Sequence, residues 1–141
     1  MKKTITTNSE EETFSFACKF GKEIKKNTVI ALRGDLGAGK TIFTKGLAEG
    51  LSVKDDITSP TFSLMESYEG SLSLHHFDLY RIENLNEFEH LRFEEYWEGD
   101  GVSVIEWPEK AGYLLPEKRI DIYIEYIDEN RREITIEYTG N

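Results

Sequence analysis

The stretch Gly34-Asp35-Leu36-Gly37-Ala38-Gly39-Lys40-Thr41 constrains this chain more than any other segment. It satisfies G-x-x-x-x-G-K-S/T, follows the apolar, β-branched run Thr28-Val29-Ile30-Ala31-Leu32, and precedes a helical pattern from about Lys40 to Gly50. A glycine-rich turn between a buried strand and a helix start lets successive backbone N–H groups close around an anion. Gly37 and Gly39 lack the Cβ that would hold phosphate oxygens away from the backbone. The helix dipole adds to this, so the N–H groups of Thr41 and Ile42 are expected to face the anion, with Gly34 and Ala38 counted in the same binding loop. Lys40 is expected to reach the terminal phosphates and the Thr41 hydroxyl to ligate Mg²⁺, which makes ATP with Mg²⁺ the expected ligand.

Such a site needs an acidic group on a neighbouring strand to hold the metal or orient the attacking water. The chain offers Asp78, after Leu74-His75-His76-Phe77, and Glu106, after Val104-Ile105. The second run is the cleaner apolar one and leans the choice towards Glu106, while both remain open. Adjacent strand residues point to opposite faces, so His75 and His76 cannot ligate one metal together, and a structural or supporting role is expected of them. Trp107 is a candidate to stack on a base. Arg131 and Arg132 are expected in solvent, with either one able to reach the nucleotide.

The rest of the chain supplies elements of both kinds. Ser9 and Glu12 have capping-box spacing, and Phe14, Ala17, Gly21 and Ile24 recur at helical intervals, which predicts a helix over 9–25 ended by Asn27. The polar segment 55–61 is expected to be a loop, followed by a hairpin of 62–68 and 72–78. Asn84 is placed to cap a helix carrying Leu85, Phe88 and Leu91 and, past a break, Tyr96 and Trp97. A strand over 101–105 ends at Glu106, and Pro108 suits a following first turn. Ile120, Ile122 and Ile124, then Ile134, Ile136 and Tyr138, alternate with polar residues around a turn at 128–130, giving a terminal hairpin with one buried face. The expected fold is α/β, a P-loop NTPase-like single domain over 1–141 with central parallel strands, antiparallel edge strands and hairpins.

Charge narrows the partners. With 27 acidic and 17 basic side chains, the net charge of -10 repels a phosphate backbone, so strong direct nucleic-acid binding is not expected. No apolar run is long enough to span a bilayer, and residues 1–7 lack the apolar stretch of a signal peptide, which points to a soluble, cytoplasmic protein. The single cysteine, Cys18, excludes an internal disulfide and sits among Phe16, Ala17 and Phe20 as a small buried side chain would.

Four ordered blocks carry a family resemblance: 34–41, then Ser59-Pro60-Thr61-Phe62, His76-Phe77-Asp78-Leu79-Tyr80-Arg81, and Ile105-Glu106-Trp107-Pro108-Glu109. Over nearly its whole length the chain resembles the bacterial TsaE (YjeE) P-loop ATPases, required for threonylcarbamoyladenosine modification of tRNA. The resemblance implies a switch-like loop at 58–62, Asp78 as the Walker-B-type acid, Glu106 with Thr41 on Mg²⁺, and Trp107 close to the nucleotide. It places the family's terminal-hairpin arginine on Arg132 or Arg131. It also implies an accessory ATPase subunit of a TsaB–TsaD assembly, not the threonylcarbamoyl transfer itself; intrinsic hydrolysis is expected to be slow, because an isolated P-loop often lacks one transition-state group. A small-molecule or nucleotide kinase would need an acceptor pocket and an Arg-rich lid, for which the sparse arginines leave little material. A GTP-dependent switch would need N-K-x-D and D-x-x-G stretches, and neither occurs.

Overall fold

The structure, a computed structural model, describes residues 2–35, 37–58, 64–84, 86 and 92–140. Along the chain run β1 (Lys2–Thr7), α1 (Glu10–Glu23), β2 (Thr28–Arg33), α2 (Lys40–Gly50), β3 (Met65–Tyr68), β4 (Leu74–Asp78), α3 (Glu94–Trp97) and β5 (Val102–Glu106). Two 3-10 turns, Pro108–Lys110 and Gly112–Leu114, lead to β6 (Arg119–Tyr126) and β7 (Arg132–Thr139). Among the described residues the strands form one seven-stranded sheet in the order β1-β7-β6-β2-β5-β4-β3. The centre, β6-β2-β5-β4, is parallel, and β3, β7 and β1 each run antiparallel to the neighbour they pair with. This is the expected α/β architecture, a parallel centre with antiparallel edges.

The strand that precedes the glycine-rich loop is buried on both faces. Ile30 and Leu32 of β2 join Phe43, Leu47 and Leu51 on the α1–α2 side, whereas Val29 joins Phe77, Phe93, Trp97 and Ile105 on the other. Ser9 caps α1, its Oγ accepting the Glu12 N–H at 3.1 Å, and Glu12 in return accepts the Asn8 N–H at 3.1 Å. Helix α1 stops at Glu23, two positions short of the expected end, because Ile24 is already extended. The two helices meet through small residues: a Cβ on Gly46 would run into the Phe14 carbonyl oxygen, and one on Gly50 into that of Cys18. This close approach seats α2, and with it the residues of its first turn, firmly on the sheet.

Several expectations shift in detail. Lys2–Thr7 is an edge strand paired with β7, an element its polar sequence does not announce; Ile5 packs on the core and Thr7 is buried against Thr13 of α1. The first hairpin strand begins at Met65 and the second at Leu74, with residues 69–73 between them. Of the helix expected from Asn84, positions 85 and 87–91 lie outside the described residues, and Tyr96 and Trp97 fall in the short α3. On the terminal hairpin Ile134 and Ile136 are buried as expected, but Tyr138 is 51% exposed because it lies near the end of β7, past the pairing of Lys2 with Glu137. Pro108 opens a 3-10 turn, as its missing N–H allows.

Candidate nucleotide site

Helix α2 opens with unsatisfied donors. Its ladder begins with the Phe43 N–H bonded to the Gly39 carbonyl at 3.1 Å, and no side chain caps the first turn. The N–H groups of Lys40, Thr41 and Ile42 are therefore left at the positive end of the helix dipole. Before them the loop turns through Gly37 at φ 82 and Gly39 at φ 111, a region that side chains rarely enter. The loop thus presents bare backbone N–H groups where an anion can approach.

Opposite this turn the sheet delivers two carboxylates. Parallel pairing of β4 with β5 sets Asp78 level with Glu106 at the strands' carboxyl ends. Period-two alternation puts both on the α2 face, with Leu74, His76, Val102 and Val104 below them. Glu106 is 6% exposed and held from two sides: the His76 Nε2 lies 2.6 Å from its Oε2, and the Lys40 Nζ 3.9 Å from its Oε1. Asp78 is half-buried, and one of its oxygens accepts the Tyr80 N–H at 3.1 Å in a tight turn. Immediately after Glu106 the chain reverses through Trp107 at φ 57, an uncommon conformation for a bulky residue. The reversal places the indole ring 4.3 Å from the Lys40 Nζ and 4.9 Å from the Tyr80 ring, centroid to centroid for the latter.

These groups share one cleft of about 350 Å³, lined by the loop and first turn of α2, by Asp78, Glu106 and Trp107, by the start of α1 and by the terminal hairpin. Gly37, Gly39, Lys40, Thr41, Ile42 and Arg132 all line it. Gly34 and Ala38 do not; they border a second cleft on the far side of the loop with Arg33 and Tyr123. The Ala38 N–H is bonded to the Asp35 carbonyl at 3.0 Å. Leu36 and positions 59–63, most of the loop singled out at 58–62, lie outside the described residues.

The two hairpin arginines part company. Arg131 is exposed and pairs with Asp128 at 2.7 Å. Arg132 turns inward: its Nε donates to the Ala38 carbonyl at 2.7 Å, its Nη1 to the Asp128 carbonyl at 2.6 Å, and its guanidinium stacks 4.6 Å from the Tyr126 ring. It braces the glycine-rich loop against the hairpin. The sequence left the choice between the two arginines open because the turn geometry decides it. Neither Glu10 and Thr13 at the start of α1 nor Glu129 and Asn130 in the hairpin turn were expected at the site. Nothing in their local sequence marks them, since sheet order alone brings those two ends together.

His75 and His76 separate as alternation requires. His75 bonds the Ser67 Oγ at 2.7 Å and packs edge-on against Tyr96, while His76 reaches Glu106 on the opposite face. Partial burial holds the His75 imidazole below its ordinary pKa. Among the described residues no trio of His, Cys, Asp and Glu side chains forms a metal cage. The oxygen donors present, the Thr41 hydroxyl and the carboxylates of Asp78 and Glu106, suit a hard cation shared with a phosphate group. No helix among the described residues is long and apolar enough to cross a membrane.

Comparison with known proteins gives one answer. The family model "Threonylcarbamoyl adenosine biosynthesis protein TsaE" matches residues 7–134. A tRNA threonylcarbamoyladenosine biosynthesis protein TsaE from Treponema pallidum is 40% identical over 130 residues, 92% of this chain and 96% of the relative. The protein of that name from Bacillus subtilis is 43% identical over 136 residues, 96% of this chain and 85% of the relative. The crystal structure of Bacillus subtilis YdiB superposes with a TM-score of 0.83 at 37% identity, covering 100% of this chain and 88% of that one. Carried by a family match over almost its full length and by close relatives of the same kind, this chain belongs to the TsaE family of threonylcarbamoyl adenosine biosynthesis proteins.

Proposed function

We propose that this chain binds ATP with Mg²⁺ in the cleft at the start of α2 and hydrolyses it slowly, as an accessory subunit working with TsaB and TsaD. The observation that carries the reading is the meeting, in one cleft, of an uncapped helix start with Lys40 and Thr41 and the level pair Asp78 and Glu106. Its place in the pathway rests on the names of its relatives, and the strong negative charge favours a protein partner over direct contact with tRNA.

The lining itself supports a divalent cation. Glu10, Asp78, Glu106 and Glu129 outnumber Lys40 and Arg132, so a bare polyphosphate would enter a cleft of its own sign. Mg²⁺, when bound, would offset that repulsion and neutralise charge developing on the transferred phosphoryl group. Thr41 and Glu106 would hold it, and Glu106 suits the task because two neighbours already fix its carboxylate. Asp78, less committed, would orient the attacking water. Lys40 would leave the Trp107 ring to meet the terminal phosphates, while the N–H groups at the start of α2 take the remaining oxygens. Past the loop, the cleft continues between α1 and the terminal hairpin, which leaves room for the nucleoside.

Calorimetric titration tests this directly. ATP should bind in Mg²⁺ and far more weakly in EDTA, GTP should not displace it efficiently, and Lys40→Ala should abolish binding or turnover. Phosphate release should rise when TsaB and TsaD are added. Undiminished hydrolysis by Lys40→Ala would refute the site, and equal turnover with and without the partners would refute the accessory role.

A further inference from the structure

We propose that His76 is a positioning residue for Glu106, assigning the two oxygens of that carboxylate to different tasks; the inference rests on the nucleotide and Mg²⁺ reading above. His76 is 2% exposed and does not line the cleft, so it has no route to a ligand of its own. Its Nε2 stands 2.6 Å from Glu106 Oε2, a short hydrogen-bond contact. Its Nδ1 is buried and meets no hydrogen-bond partner among the described residues. The tautomer with its proton on Nε2 leaves only a lone pair unmatched there, whereas a proton on Nδ1 would bury a donor without an acceptor.

The bond therefore runs from Nε2–H to Oε2, and that oxygen is engaged on the core side. Oε1 is the one that lies towards Lys40. A glutamate has three side-chain torsions, and beside a lysine either oxygen could turn to the cation. His76 removes that freedom before any ligand arrives. Strand parity makes the choice of histidine unambiguous, because His75 faces Ser67 and Tyr96 on the other side of the sheet. Outer partners of this kind commonly change metal affinity by about 10–100-fold when removed.

Three variants and two readouts test the proposal. His76→Leu keeps apolar bulk without a donor; His76→Gln places an amide N–H near the position of Nε2, and His76→Asn is too short to do so. Nucleotide affinity is titrated calorimetrically with ADP in Mg²⁺ and again in EDTA. His76→Leu and His76→Asn should weaken binding by about tenfold or more in Mg²⁺ and by no more than about twofold in EDTA, with most of the loss recovered in His76→Gln. Should His76→Leu fail to fold, the Asn and Gln variants carry the comparison. Equal losses in both buffers would reduce His76 to a packing residue and overturn the proposal, as would unchanged Mg²⁺ dependence. Independently of any ligand, ¹⁵N-edited spectra of the free protein should show His76 as the Nε2–H tautomer, with a downfield proton that disappears in Glu106→Gln. A wild-type protein that bound no nucleotide in either buffer would overturn the nucleotide reading and the metal role of the pair, while an Nδ1–H tautomer would overturn the pairing alone.

Discussion

Gly46→Ala sets two effects of similar size against each other at the crossing of α1 and α2. Alanine in a helix interior is favoured over glycine by about 1 kcal/mol, so on propensity alone the variant should gain stability. The added Cβ, however, would lie 2.8 Å from the Ala17 Cβ and also against the Phe14 carbonyl oxygen. Carbon atoms rest at about 3.5–4.0 Å, so the helices would have to part by roughly 1 Å. The carbonyl is backbone and cannot swing aside, which places the cost in the upper part of the about 1–3 kcal/mol typical of overpacking. The net expectation is a loss of about 1–2 kcal/mol, or a melting temperature lower by about 4–8 °C for a chain this size. Thermal denaturation followed by circular dichroism measures it. Ala17→Gly removes one of the two obstacles, so the double variant should show a favourable coupling of about 1 kcal/mol relative to the two single changes. A melting temperature raised by Gly46→Ala, or strict additivity in the double variant, would refute the close-approach argument.

Other consequences can be checked as directly. Phe43 is fully buried against the Phe16 and Phe20 rings, so Phe43→Ala should cost about 3–5 kcal/mol, read as a lower urea midpoint. Because Arg132 holds the Ala38 carbonyl, Arg132→Gln should weaken ATP binding about tenfold, whereas Arg131→Gln, which breaks only an exposed pair, should leave affinity within about twofold. A nucleotide that draws Lys40 off the Trp107 ring should change tryptophan emission in a Trp97→Phe background and leave it unchanged when Lys40→Ala is added. The His75 imidazole, with its pKa held below normal by burial, favours the neutral form when folded. Its contribution to stability is complete above about pH 6.5 and falls away as pH drops through that value towards the folded-state pKa, since the unfolded chain takes up the proton first. Melting temperatures between pH 5 and 8 should show a shallower acid slope for His75→Gln.

Local chemistry made much of this protein legible from its residues. The glycine-rich turn, its flanking strand and helix, the Ser9 cap and the alternating isoleucines of the terminal hairpin each declare themselves within a few positions, because period, capping and glycine geometry act over short range. The candidacies of Asp78 and Glu106 also followed from strand ends alone. Their equal level did not, because it depends on β4 pairing with β5 between residues 28 positions apart in the chain, and register is a property of the sheet. Tertiary structure likewise made a strand of polar Lys2–Thr7, through its pairing with β7, where backbone hydrogen bonds replace the hydrophobic alternation that would have announced it. It chose Arg132 over Arg131, brought Glu10, Thr13, Glu129 and Asn130 to the cleft, and turned His76 towards Glu106. The phosphate cradle is a short-range feature and the sequence alone determined it; the acids, arginine and histidine around it come from distant segments, and only the order and register of the strands could decide where they meet.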